Sequence, residues 1–239
     1  MIKKVLNQNT IFEQNLINSF EKNFIFGNKA LNRIKISNQN SPKNILDKAE
    51  KLLFLKSQIN SIENCNLKNN SKSLILGNGN VNSPIMLIGE TPNEEEDVSG
   101  LAFQGDVGKL LKKMLLAINI KIENIYLSYS INFRPPKDRK PTSQEIKRYS
   151  KFLKDHISII NPEILILMGS TAMESITGLN KNISSQRGDW KEVILKNKTY
   201  PIMITFSPSY LIRFPENKKY SWEDLKKIRN KIKDLNIKI

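Results

Sequence analysis

Four short apolar runs from residue 81 onward constrain the fold more than any other feature. They are PIMLIGE, NIYLSYSI, EILILMGS and YPIMITFS. A strand that is buried on both faces is apolar along most of its length, whereas a strand with one wet face alternates. Stretches with helical periodicity separate the runs, and another, SWEDLKKIRNKIKDL with Ser221 as its predicted cap, follows the last. This alternation predicts an α/β protein, a three-layer α/β/α domain with a central, mainly parallel four-stranded sheet.

Residues 1–60 lack these runs and are predicted to form a helical N-terminal extension. The segment ILDKAEKLLFLKSQINSIE has helical apolar spacing, while the first 40 residues carry a weaker pattern. The main domain is expected to span residues 61–239. The chain shows no apolar run of membrane-spanning length, no signal peptide and a single cysteine, Cys65, so we expect a cytoplasmic protein with no membrane partner. We also expect a monomer.

The segments that follow the four predicted strands are candidate site segments, because ligands of open parallel sheets bind outside the carboxyl ends of the strands. They are GETPNEEED, SINFRPPKDRKP, GSTA and SPSYLIR. The second is basic, and the last places Tyr210, Leu211 and Ile212 beside Arg213. Proteins that unstack a duplex combine an apolar wedge with cations on the phosphates.

A nucleic acid is therefore the predicted partner, and the composition agrees with it. The chain has 38 Lys and Arg against 23 Asp and Glu, a formal net charge of +15, which favours a polyanion. Each of these signals has a plainer alternative. An AT-rich genome would also favour many lysines, and the basic loop could be an ordinary solvated turn. The Tyr-Leu-Ile tip could cover the protein's own core.

In this order and spacing, the segments resemble the uracil-DNA glycosylase superfamily. They are closest to its type-4 branch and to related bacterial forms with an aromatic residue before Arg-Pro-Pro. The similarity runs from about Cys65 to the C-terminal helix and rests on GETPNEEEDVSGLAFQGDVGKLL, NFRPPKDRKPT, INPEILILMGSTA, RGDW and SPSYLIRFP.

The resemblance implies a base-excision repair enzyme that flips a damaged base out of single- or double-stranded DNA and hydrolyses its N-glycosidic bond. Glu90 matches the acid that contacts uracil or the attacking water, and Phe103 matches the aromatic residue on which uracil stacks. Leu211 would fill the gap left by the flipped base. The basic loop and the apolar tip, which the residues already suggest as contacts to nucleic acid, supply the candidate DNA-binding residues: Arg134, Lys137, Arg139, Ser209, Tyr210, Leu211 and Arg213.

The positions of an iron–sulfur cluster depart from the type-4 pattern. Type-4 members bind the cluster through four cysteines, and the matching positions here are Ile62, Cys65, Phe133 and Tyr149. Because a cluster needs about four thiolate ligands, we expect no cluster, no metal and no other cofactor. Phe133 and Tyr149 are predicted to fill the space as core residues.

The pocket positions depart as well. Tyr129 replaces an asparagine that hydrogen-bonds to the uracil edge, and Ser207 replaces the histidine that donates to uracil O2. Asn93 replaces a glycine, and Thr91 stands where some members carry a water-activating aspartate. The candidate catalytic residues are therefore Glu90, Thr91 and Ser207, and the candidate base-binding residues are Phe103, Asn93 and Tyr129. His156, the one histidine, is interpreted as a structural or surface residue rather than a catalytic one.

Three functions are compatible with this pattern. The first is a uracil-DNA glycosylase with an altered substrate or rate, and the second is a relative that binds damaged or abasic DNA without cleaving it. The third is an unrelated α/β hydrolase or nucleotide-binding protein. The third is disfavoured because Gly-x-Gly-x-x-Gly after a strand and Gly-x-x-x-x-Gly-Lys-Ser/Thr are both missing.

Overall fold

The fold is taken from a computed structural model that describes residues 43–239, with side chains from residue 47. Most of the predicted N-terminal extension lies outside the described residues. Its last part is helix α1, Lys43–Asn60, which lies in the same compact unit as the rest of the described chain. None of the helices between residues 43 and 239 is long and apolar enough to cross a bilayer.

The sheet confirms the predicted parallel core. The four apolar runs form strands β2 (Ile85–Gly89), β3 (Tyr126–Tyr129), β4 (Ile164–Met168) and β6 (Lys198–Thr205). They lie side by side in the order β3-β2-β4-β6, and every pairing among them is parallel. All residues of β2, β3 and β4 are buried, as expected for strands that are covered on both faces.

The described sheet has six strands rather than the predicted four. Strands β1 (Gly77–Gly79) and β5 (Trp190–Leu195) pair antiparallel with β3 and β6 at the two edges. Neither edge strand contains an apolar run, so the sequence pattern did not predict them. Strand β1 is Gly-Asn-Gly, and β5 is a half-exposed edge strand that carries Lys191 and Glu192.

The helices form the two outer layers. Alternate strand residues define the faces: Ile85 and Leu87 pack in one core, and Met86 and Ile88 pack in the other. Helices α4 (Gly105–Leu116) and α8 (Lys218–Asp234) cover the first face, while α5 (Ser143–Ile160) and α6 (Ser170–Thr177) cover the second. The shorter helices are α2 (Asn66–Asn69), α3 (Glu94–Ser99) and α7 (Pro208–Arg213). The three-layer prediction is thus confirmed.

Two local predictions near the C-terminus are wrong. Helix α8 begins at Lys218 rather than after Ser221, which lies buried inside the helix. The SPSYLIR segment forms helix α7 rather than the loop tip inferred from its position after the last strand. Ser207 caps this helix by accepting a hydrogen bond from the Tyr210 N–H at 3.3 Å, and Pro208 occupies the first helical position, where its fixed φ is favourable.

Candidate active site

A cavity of about 490 Å³ opens at the carboxyl ends of the four parallel strands. Each of these strands, or the segment directly after it, contributes to the lining. All six predicted catalytic and base-binding residues line the cavity: Glu90, Thr91, Ser207, Phe103, Asn93 and Tyr129. Of the predicted DNA-binding residues, the lining includes Arg139, Ser209, Tyr210 and Arg213.

Glu90 is held at the start of helix α6. Its Oε1 accepts hydrogen bonds from the Thr171 N–H at 3.1 Å and from the Ser170 hydroxyl at 3.3 Å. The first N–H groups of a helix favour a negative charge. Gly169 permits this approach because a Cβ there would lie 2.2 Å from the Glu90 carboxyl carbon, and its φ of +102° suits glycine. The carboxylate is therefore fixed in position at the cavity wall.

A second, buried group lies beside the β3 end of the sheet, whereas Glu90 contacts the helix that follows β4. It consists of Phe103, Tyr129 and Glu96. The two rings stack with centroids 4.9 Å apart. The Tyr129 hydroxyl donates to Glu96 Oε1 at 2.6 Å and accepts from the Phe103 N–H at 3.1 Å. Burial raises the pKa of the Glu96 carboxyl and, together with this carboxylate, raises the pKa of Tyr129 well above its usual value.

Sequence reasoning missed Glu96, although it lines the cavity and is only 1% exposed. It closes a capping box with Asn93: the Glu96 N–H donates to Asn93 Oδ1, and Asn93 N–H donates to Glu96 Oε2 at 2.8 Å. The spacing Asn-x-x-Glu was visible in the sequence. Three consecutive glutamates, however, gave no sign of which one is buried. The Asn93 side chain serves the helix cap while it lines the cavity.

Ser207 presents its hydroxyl at the end of β6. The hydroxyl caps α7 and lies 3.1 Å from the Ser209 hydroxyl. Behind it, the rings of Phe206, Tyr210 and Phe214 form a ladder with centroid spacings of 4.8 and 4.9 Å. The ladder runs from the buried Phe206 to Phe214, which is 44% exposed.

Leu211 does not form the wedge that would fill the gap of a flipped base; for this residue the alternative holds, and the segment covers its own core. Leu211 is 1% exposed and packs in the core beneath α4 and α8, because it lies on the inner face of helix α7. The exposed apolar side chains of this segment are Ile212 and Phe214, on either side of the exposed Arg213.

The basic loop after β3 is more nearly neutral than its sequence suggests. Arg134 bonds Asp138 through two nitrogens at 2.8 and 3.1 Å and lies 3.5 Å from Glu94. Arg139 makes a bidentate pair with Glu145 at 2.8 and 2.7 Å, which lowers the pKa of that carboxyl to about 2. Lys137 is exposed at the turn of the loop.

His156 is buried in helix α5, on the face of the sheet where Met86 and Ile88 pack. Its ring nitrogens are 3.3 Å from the Ser128 hydroxyl and 3.0 Å from the Tyr126 hydroxyl. Burial lowers the pKa of His156 to about 3, so the ring is neutral. These contacts fit the structural role that the sequence suggested.

The positions that match the type-4 cluster ligands pack against one another. The Cys65 thiol lies 3.1 Å from the Tyr149 hydroxyl, the Phe133 ring meets Tyr149 edge-on at 6.3 Å, and Ile62 packs on the same group. One thiol among two aromatic rings and an aliphatic side chain does not fit a four-thiolate cluster. In the part of the chain that the structure describes, no group of three His, Cys, Asp or Glu is arranged for a metal.

Comparison with known proteins identifies a family for this chain. A model described as the uracil DNA glycosylase superfamily matches residues 76–228. A type-4 uracil-DNA glycosylase of Thermotoga maritima is 35% identical over 172 residues, which cover 71% of this chain and 88% of the relative. Proteins of the same name from Archaeoglobus fulgidus and Sulfurisphaera tokodaii are 29% and 32% identical, over 72% and 77% of this chain and 88% and 84% of their own lengths.

The packing around Cys65 predicts that the protein contains no iron–sulfur cluster. Protein purified under anaerobic conditions, so that oxidation cannot remove a cluster, should be colourless and contain far less than one iron per chain. Metal analysis and the absorbance near 400 nm measure this. A brown protein with about four irons per chain would contradict the account of these positions.

Proposed function

This chain belongs to the uracil DNA glycosylase superfamily, and we propose that it removes uracil from DNA by hydrolysing the N-glycosidic bond of a flipped-out nucleotide. A base within a duplex stack is out of reach of such an enzyme, so the nucleotide must enter a pocket. The observation that carries the proposal is the cavity at the strand ends, with the Glu90 carboxylate fixed in its wall.

Glu90 is proposed to position the attacking water and to accept its proton. The water oxygen bonds to C1′ of the deoxyribose, the C1′–N1 bond breaks, and its electron pair leaves with the base as an anion. A carboxylate held by two hydrogen bonds needs little reorganisation during this step. The proton passes finally to the departed base, so that the products are uracil and an abasic site.

Ser207 is the proposed donor to the developing anion. Ser207 lines the cavity at the position where family members carry histidine, and a hydroxyl can donate one hydrogen bond. A neutral hydroxyl stabilises an anion less than an imidazole does. The loss of one such donor commonly lowers a rate by about 10²–10³, so we expect a slow enzyme. Thr91 is proposed to hold the water together with Glu90.

The DNA backbone is proposed to cross the cavity mouth between the basic loop and helix α7. Lys137 and Arg213 are exposed on these two segments, and Ser209 and Tyr210 line the cavity. Arg134 and Arg139 are proposed to contribute chiefly by holding the loop, because acidic partners already neutralise them. Exposed cations next to the cavity would contact phosphates.

Replacing Glu90 tests the chemistry. On a duplex with a single deoxyuridine, Glu90→Gln should release uracil at least about 100-fold more slowly than the wild type. Its affinity for a tetrahydrofuran abasic-site duplex should stay within about threefold, because the amide keeps the shape of the side chain. Glu192→Gln, a change on the exposed edge strand β5, is the matched control and should behave as wild type.

Equal rates for the wild type and Glu90→Gln would remove Glu90 from the reaction. Release by neither protein, with preferential binding of abasic over undamaged duplex, would favour the alternative of a damage-binding relative without catalysis.

The proposed backbone contacts predict a specific salt dependence. Each phosphate contact contributes about 0.9 to the slope of log affinity against log salt. The double variant Lys137→Ala, Arg213→Ala should therefore lower the magnitude of the slope by about 1.8. The control Lys113→Ala, Lys121→Ala removes the same charge from two exposed positions, one on α4 and one before β3, at the far end of the sheet. If the test variant and the control variant lower the slope equally, Lys137 and Arg213 do not make specific contacts with phosphates.

A further inference from the structure

The Tyr129 side chain is placed as a bound base would be. Its ring lies on the Phe103 ring at 4.9 Å between centroids, with 23° between the planes. Offset stacking of this kind is the geometry that aromatic side chains and nucleobases adopt together. Phe103 is also the residue that matches the stacking platform of the family. One aromatic ring of the protein therefore already occupies a face of the platform.

The hydroxyl of Tyr129 makes the same kinds of hydrogen bond as the edge of a nucleobase. It accepts from the Phe103 N–H at 3.1 Å and donates to Glu96 Oε1 at 2.6 Å. The edge of uracil carries a carbonyl oxygen beside an N–H group, which is one acceptor next to one donor. The phenol thus uses one backbone donor and one carboxylate acceptor, the two groups that such an edge would need.

The surroundings hold Tyr129 in this place. Glu96 is fixed by the N–H groups of Asn93 and Gln104 at 2.8 and 3.2 Å. A Cβ on Gly89 would lie 2.7 Å from the Tyr129 ring and 2.8 Å from the Phe103 ring, so both rings press on the end of β2. The two rings are only 3% and 6% exposed. The side chain is packed, bonded at its tip and in contact with the cavity.

We propose that Tyr129 is a specificity-determining residue that occupies the base position on Phe103 in the resting protein, so that a pyrimidine can enter only by displacing it. The inference rests on the proposed function, since it assumes that the cavity receives a flipped nucleotide. A base reaches Phe103 only when Tyr129 turns away from Glu96, which leaves a buried carboxylate without that hydrogen bond. The resting cavity therefore favours an abasic deoxyribose over a nucleotide with its base, and the return of Tyr129 expels the released uracil.

Binding of free uracil tests this without any chemical step. Uracil is titrated into wild-type protein, Tyr129→Phe and Tyr129→Asn, and binding is followed by NMR or calorimetry. The wild type should show no saturable binding with a Kd below about 1 mM. Tyr129→Asn should bind uracil at least about tenfold more tightly, the order expected for stacking one base on an aromatic side chain. Tyr129→Phe keeps the ring but loses the hydrogen bond to Glu96, so its affinity for uracil should lie between those of the wild type and Tyr129→Asn.

A purely structural role for Tyr129 gives a different result. In that case Tyr129→Asn would lose affinity for the tetrahydrofuran abasic-site duplex and gain none for uracil, which would overturn the proposal. Uracil binding by the wild type with a Kd below about 1 mM would overturn it as well, and this measurement does not depend on the folding of any variant. Because both titrations lack a cleavage step, failure of the proposed glycosylase activity would appear separately, in the release assay.

Discussion

The parallel pairing of β3, β2, β4 and β6 is the constraint on which the rest of the structure depends. Parallel register brings the carboxyl ends of all four strands to one edge, so that segments far apart in the chain meet there. The four strand ends, or positions within two residues of them, carry Tyr129, Glu90, Ser170 and Ser207. Two glycines, Gly89 and Gly169, leave room at this edge for rings and a carboxylate that any larger residue would displace.

Buried acids then fix the segments around the edge. Asp97 accepts hydrogen bonds from the Lys72 and Ser73 N–H groups at 2.9 and 3.0 Å and thereby joins the α3 segment to the chain before β1. Asp224, fully buried in α8, accepts from the Thr205 hydroxyl at 2.6 Å and pairs with Arg187. Buried carboxylates are stable only with such partners. The cavity wall is consequently built from bonded, packed residues, which suits a site that must hold one nucleotide in a fixed geometry.

The sequence was sufficient for the parallel core and for the edge that carries the site, because strands buried on both faces leave long apolar runs and the chain order then determines where they end. The sequence did not predict features that depend on whether a particular side chain is buried, exposed or paired in the folded protein. Strands β1 and β5 carry no apolar run, and Leu211 and Ile212 differ only in the face of a six-residue helix. Glu96 resembles its neighbours Glu94 and Glu95 until the fold buries it. Arg134 and Arg139 look like free cations until Asp138 and Glu145 are placed beside them.

The central claim is that the cavity beside Glu90 receives a nucleotide turned out of DNA. A crystal structure of the protein with a duplex that contains one tetrahydrofuran abasic site tests it most directly. We expect the tetrahydrofuran ring inside the cavity, with the atom equivalent to C1′ joined to the Glu90 carboxylate through one water, and Tyr129 still stacked on Phe103. A duplex bound elsewhere on the protein, or a tetrahydrofuran that remains within the helix, would contradict the account.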